Sequence, residues 1–290
     1  MYNDVFYKSS DGLTLYARDY GCRGLSADNA PTILCMHGLS RNSKDFANIA
    51  VDLSHYYRVL AVDQRGRGRS QYDPDPNNYN PAMYCQDMFA LLDHLNIPRV
   101  SIIGTSMGGL MSFLMATMAP QRIEGVVVND IGPEVNPVGL ARIQSYVGKL
   151  APPASWSEAI EQVKSINGPA FPDFTEAEWA TFTRNLYTED GDGSLALDYD
   201  AAISKPMDES KEAAVPPDLW QFFAALKAKP MLLVHGALSD ILTSDCAERM
   251  CAEHPRAQYL RIQNRGHAPT LDEPESRSAI HAFFEELYSY

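Results

Sequence analysis

Gly104-Thr105-Ser106-Met107-Gly108-Gly109 directly follows an apolar run, Val100–Ile103, and directly precedes a stretch of helix formers, Leu110–Met118. A serine with a glycine two residues to either side, set between a strand and a helix, is the pattern of a sharp turn that lifts a hydroxyl off the C-terminal edge of a sheet. Small residues at 104 and 108 let neighbouring backbone pass close, and the helix N-terminus behind the serine favours negative charge. In a chain with 18 glycines, a chance Gly-x-Ser-x-Gly has an expectation of about 0.1 before that strand and helix context is required.

Outward from this turn, strand-like and helix-like segments alternate. On the N-terminal side, Val5–Lys8 and Leu13–Tyr20 read as strands around an Asp11-Gly12 turn, and Thr32–Met36 and Arg58–Asp63 as short buried strands. Asn80 and Pro81 open a helix as N-cap and first residue, with Tyr84, Met88, Leu91, Leu92 and Leu95 at helical spacing and Ile97-Pro98 as its end. On the C-terminal side Gly125–Asn129 reads as a strand, and then the rhythm breaks. From Gly132 to about Lys229 there are helix-like patches, no convincing strand and all three tryptophans. The alternation resumes with a strand at Met231–His235, a helix near Ser244–Glu253 and a strand at Gln258–Ile262. A final helix carries the stripe Ile280, Phe283, Phe284 and Leu287. Such alternation predicts an α/β fold with a mostly parallel sheet covered on both faces. The expected organisation is a core of residues 1–131 and 230–290 with a helical insertion at 132–229.

A serine alone is a poor nucleophile and needs a base oriented by an acid. On a sheet of this kind both follow the serine at the ends of later strands, in the order acid then histidine. Asp240 follows the Met231–His235 strand and His267 follows the Gln258–Ile262 strand, so Asp240 is the expected orienting acid and His267 the expected base. Asp130, at the end of the strand before the insertion, is the rival acid, whereas Asp245 falls inside the next helix. Two backbone N–H groups aimed at a developing oxyanion complete such a site. Met107, directly after the serine, and Leu39, in the loop His37-Gly38-Leu39, are expected to supply them.

Composition narrows the field from the other side. The 290 residues hold 37 acidic and 24 basic side chains, a net charge of −13, with no Lys/Arg run. That argues against a nucleic-acid partner. No apolar stretch approaches the roughly 20 residues that a bilayer demands, and the polar, acidic start Met1-Tyr2-Asn3-Asp4-Val5 does not read as a secretory signal. The five cysteines are scattered without a C-x-x-C pair, which points to reduced thiols and a cytoplasmic location. No histidines show ligand spacing, so no metal is expected. Gly66-Arg67-Gly68 lacks the remaining glycines of a nucleotide loop, and no cofactor is expected. Arg65, Arg67 and Arg69 read as loop-bracing residues. Arg41, Arg142 and Arg184 are candidates to meet a substrate carboxylate.

With these residues in place the chain resembles the α/β-hydrolase superfamily over nearly its whole length. The landmarks are His37-Gly38, the run Asp63-Gln64-Arg65-Gly66-Arg67-Gly68-Arg69-Ser70, the elbow at Ser106, Asp240, and Gly266-His267. The resemblance implies an eight-stranded, mostly parallel sheet with an antiparallel second strand. It also implies that the insertion after the sixth strand is a helical lid, as in the branch that holds esterases, lactonases, C–C bond hydrolases, epoxide hydrolases and dehalogenases. Epoxide hydrolases and dehalogenases of this fold carry Asp at the elbow, where this chain has Ser106. C–C bond hydrolases resemble a pattern with Asn before the serine and Trp after the histidine, where this chain has Thr105 and Ala268. The expected function is therefore cofactor-independent serine hydrolysis of a small carboxylic ester or lactone through an acyl-enzyme. C–C cleavage of a dienoic keto acid, marked by a cationic lid residue for its carboxylates, and a low-turnover small-molecule receptor are the alternatives.

Overall fold

The computed structural model describes residues 1–24, 30–206 and 218–289. Eight strands build one sheet: β1 (Asn3–Lys8), β2 (Thr14–Asp19), β3 (Thr32–Met36), β4 (Arg58–Asp63), β5 (Val100–Thr105), β6 (Ile123–Asn129), β9 (Met231–Gly236) and β10 (Ala257–Ile262). Their spatial order is β1-β2-β4-β3-β5-β6-β9-β10. β2 runs antiparallel to both β1 and β4, and every other neighbouring pair is parallel. The eight strands and the antiparallel second strand are those that the α/β-hydrolase resemblance implies.

The central strands are apolar almost without interruption because the sheet is covered on both faces. β3 is buried at every position, and its side chains divide by the two-residue period of a strand. Leu34 and Met36 join the core under α2 (Pro81–His94), α3 (Met107–Met118) and α8 (Ser244–Glu253). Ile33 and Cys35 join the core under α1 (Ala47–Leu53) and α9 (Pro274–Tyr288), where Ile280, Phe283 and Phe284 are buried. α2 starts as its sequence dictates, with the Asn80 side chain accepting the Met83 N–H and Pro81 in the first turn.

The chain between β6 and β9 holds α4 (Pro137–Tyr146), α5 (Trp156–Asn167), α6 (Glu176–Leu186) and α7 (Leu219–Phe223). Residues 207–217 of the expected insertion lie outside the described residues. The segment is not strand-free: β7 (Tyr187–Glu189) and β8 (Leu195–Leu197) form an antiparallel hairpin around the turn cluster Asp190-Gly191-Asp192-Gly193. Three residues per strand are too few for a period-2 pattern to show, so only the turn is visible in the sequence.

The arginine loop after β4 braces the molecule. The Arg65 side chain is fully buried and bonded to Asp87, Asp73 and Asp11 at 2.6–2.8 Å. Arg67, equally buried, donates to Leu39 O at 2.9 Å and to Tyr84 Oη at 2.9 Å. Arg69 pairs with Asp4 at 2.7 Å. The Arg67 contact carries this bracing to the loop that faces Ser106.

Candidate active site

Close packing sets the position of the serine. A Cβ on Gly104 would lie 2.4 Å from Gly108 O, and one on Gly108 would lie 2.1 Å from Met36 O. The turn between β5 and α3 therefore closes tightly on itself and against β3 only because both residues lack side chains. Ser106 stands at φ 52°, ψ −115°, a conformation that costs on the order of 1–3 kcal/mol for a residue with a side chain. Its N–H is held by Asn129 O at 2.9 Å.

His267, in the loop after β10, meets this serine. Its Nε2 lies 2.7 Å from Ser106 Oγ and its Nδ1 lies 2.9 Å from Asp130 Oδ2. With the serine hydroxyl donating to Nε2, Nδ1 bears the hydrogen that it donates to the carboxylate. The carboxylate that His267 engages is thus Asp130, directly after β6, and not Asp240. The Asp130 side chain is fully buried and has three donors. Oδ1 accepts the Gly236 N–H at 2.7 Å, and Oδ2 accepts the Ser239 hydroxyl at 2.6 Å beside His267.

The expectation for Asp240 is corrected by the course of the loop after β9. Ser239, one residue earlier, turns inward to Asp130 and also accepts the N–H groups of Ile241 and Leu242 at 3.2 and 3.1 Å. Asp240 turns the other way and takes both arms of Arg142 on α4, at 2.5 and 2.8 Å. Burial acts to raise the Asp240 carboxyl, but the Arg142 guanidinium outweighs it and holds the group below its usual range. Ser239 and Asn129 are site residues that the sequence reading missed. The one signal for them is their adjacency to the two aspartates weighed as the acid.

The loop His37-Gly38-Leu39 lies against the serine: a Cβ on Gly38 would be 3.5 Å from Ser106 Cβ. Fully buried His37 accepts the Gln64 N–H on Nε2 at 3.0 Å, so its Nδ1–H donates to Gly38 O at 2.7 Å. Gly38 O also accepts the Arg41 N–H at 3.2 Å. In a trans peptide the carbonyl and the following N–H point oppositely, so fixing Gly38 O also fixes the direction of the Leu39 N–H. Burial pushes the His37 imidazole down to about 3, which keeps it neutral in this role.

A cavity of about 840 Å³ opens over Ser106 and His267. The segment between β6 and β9 roofs it with Ile143, Tyr146, Phe171, Phe174 and Phe182. Arg41 lines it but is committed to Asp45, with two bonds of 2.7 Å, and lies over the Phe182 ring at 4.1 Å. Arg142 is taken by Asp240. Arg184 lies over the Trp156 ring at 4.4 Å and does not line the cavity. None of the three arginine candidates thus presents an uncommitted guanidinium to the serine. Among the described residues no cluster of His, Cys, Asp and Glu could hold a metal ion, and no helix is long and apolar enough to cross a membrane.

Residues 31–274 match the alpha/beta hydrolase fold family. The chain belongs to that family. It is a hydrolase at the level of that family, and relatives over most of its length are named as hydrolases. It is 31% identical over 262 residues to a 3-hydroxybutyrate-oligomer hydrolase of Cupriavidus necator, covering 88% of this chain and 89% of that one. It is 23% identical over 271 residues to 3-oxoadipate enol-lactonase 2 of Acinetobacter baylyi, covering 91% and 92%. Among solved structures, an alpha/beta hydrolase from Novosphingobium aromaticivorans superimposes with a TM-score of 0.92 at 39% identity over 98% of both chains.

Proposed function

We propose that this α/β hydrolase is a serine esterase in which Ser106, His267 and Asp130 act as the triad. The observation that supports this most directly is the continuous relay Ser106 Oγ–His267 Nε2, His267 Nδ1–Asp130 Oδ2, at 2.7 and 2.9 Å. Ser106 Oγ attacks the ester carbonyl as its proton passes to His267 Nε2. Asp130 keeps the imidazole in the required tautomer and stabilises its charged form. The N–H groups of Leu39 and Met107 receive the oxyanion. As the tetrahedral adduct collapses, His267 gives its proton to the leaving alcohol. It then takes a proton from water as that water attacks the acyl-enzyme, and returns it to Ser106 Oγ as the acid leaves.

The cavity of about 840 Å³ is larger than a small ester needs, so an extended ester is the favoured substrate. The resemblance to a 3-hydroxybutyrate-oligomer hydrolase supports esters of short hydroxy-acid oligomers in particular. The insertion acts as the lid that roofs this cavity. C–C cleavage of a dienoic keto acid calls for a cation offered to the substrate's carboxylates, and the pairing of Arg41 and Arg142 and the placement of Arg184 give it no support.

The test is hydrolysis of p-nitrophenyl esters from acetate to decanoate and of 3-hydroxybutyrate dimer and trimer, by wild type and Ser106→Ala side by side. Turnover that falls by several orders of magnitude in the variant, with oligomers cleaved, is the expected result. Full activity in Ser106→Ala would overturn the triad. Rapid cleavage of simple esters with inert oligomers would overturn the oligomer preference alone.

A further inference from the structure

Asn129 ends β6 and is fully buried. One side chain here touches two of the three segments that carry the triad, and its own segment is the third. Its Nδ2 donates to Thr105 Oγ1, beside the nucleophile, at 3.1 Å and to Pro269 O, two residues after His267, at 2.9 Å. Its main-chain carbonyl takes the Ser106 N–H at 2.9 Å, and the next residue is Asp130. We infer that Asn129 is the positioning residue that ties the His267 loop to the nucleophile strand, an inference that rests on the triad reading above.

The orientation of the amide follows from its neighbours. A flipped side chain would set Oδ1 against Pro269 O, acceptor against acceptor, so only the orientation with Nδ2 toward Pro269 makes the bond. In that orientation Oδ1 has no hydrogen-bond partner among the described residues. A buried polar atom without a partner is a cost to the fold, so burial alone does not account for an asparagine here. What the residue supplies is two donors at one point, one for each flanking segment. No apolar side chain can do this, and an ionised aspartate, isosteric with it, has no donor at all.

Without the amide, the His267-Ala268-Pro269 segment loses its hydrogen bond to the sheet, and the imidazole is free to drift from the serine. Displacements of about 1 Å at reacting groups cost on the order of 100-fold in rate. Asn129 itself does not line the substrate cavity, although Thr105 and Pro269, which it holds, do. The loss is expected chiefly in kcat, because the distance that matters to the chemistry is that between His267 and Ser106.

The test is steady-state kinetics of Asn129→Ala and Asn129→Asp on a p-nitrophenyl ester, at a temperature where circular dichroism shows each variant folded. Labelling of the wild type by a fluorophosphonate is the control. Asn129→Asp keeps the size and shape of the side chain and serves if Asn129→Ala does not fold. The expected result is a kcat reduced about 10- to 100-fold with KM within twofold, and slower labelling of Ser106 in proportion. A folded variant whose kcat stays within twofold of wild type, or whose loss lies in KM, overturns the role of Asn129. A wild type that takes no label overturns the triad reading itself, so the two failures are distinguishable.

Discussion

Gly266, the residue before His267, donates its N–H to Ala170 O of the insertion at 2.7 Å. The hydrogen bond joins the loop that carries the proposed base directly to the chain that roofs the cavity. Further contacts anchor the segment on either side of this bond. Arg265 pairs with Asp173 and Glu273 and lies over the Phe174 ring at 5.1 Å, while the carbonyls of Arg265 and Gly266 rest against Gly236 at the end of β9. The roof and the base therefore share one anchored segment.

Gly266→Ala tests that junction. The new Cβ would lie 2.7 Å from Ala170 Cβ and 2.8 Å from Ala170 Cα, so backbone must move. A destabilisation of about 1–3 kcal/mol is expected, seen as a lowered Tm by calorimetry. A fall in kcat/KM of about tenfold or more should accompany it, because the segment that moves carries His267.

The two aspartates are expected to separate cleanly. Asp130→Asn removes the acceptor that holds the His267 tautomer and should lower kcat by about 10⁴, the size of effect seen when such an acid is replaced by its amide. Asp240→Asn breaks only the Arg142 pair and should change kcat by less than about tenfold. Parallel kinetics on one ester decide the assignment.

His37 predicts a pH dependence of stability. Its imidazole is held near 3 in the folded chain, chiefly by burial, and titrates near 6.5 when unfolded. The unfolded chain therefore binds the extra proton first, and stability falls as pH drops from about 6.5 toward 3. Urea midpoints measured across that window should show a gradient that is shallower in His37→Asn.

Asp11 gives a second, lower window. The Arg65 hydrogen bond, against a smaller effect of burial, lowers its carboxyl to about 2. Stability from this pair is present above the unfolded value near 4 and is lost as pH falls through 2. The difference in urea midpoint between wild type and Asp11→Asn should hold at pH 7 and shrink between pH 4 and 2.

Much of the architecture is legible in the residues because the central strands and flanking helices write their burial as apolar runs and stripes. The serine elbow is legible for a different reason: at Gly104 and Gly108 any Cβ would press on neighbouring backbone and force it to move. The carboxylate that meets His267 is not decidable in the same way. Asp130 and Asp240 both follow strands that end on the same sheet edge, and the choice is made by which way the loop after β9 turns. That direction is set by Ser239 facing inward and by Arg142, 98 residues away in sequence, neither of which leaves a local pattern. Asn129 is silent for a similar reason, since its value lies in contacts with Thr105 and Pro269 that exist only once the sheet has formed.

The chain leaves the sheet for the insertion immediately after Asp130. Ile131 is buried, and a Cβ on Gly132 would strike Cys246 Sγ at 2.7 Å and Leu242 Cδ1 at 2.9 Å, so the first steps of the departure are wedged into the core. An exchange of this roof for that of another hydrolase thus has a preferred seam. A splice at 131 or 132 would disturb the packing around Asp130, whereas one placed beyond Pro133 would transplant the roof and leave the proposed proton relay with its host.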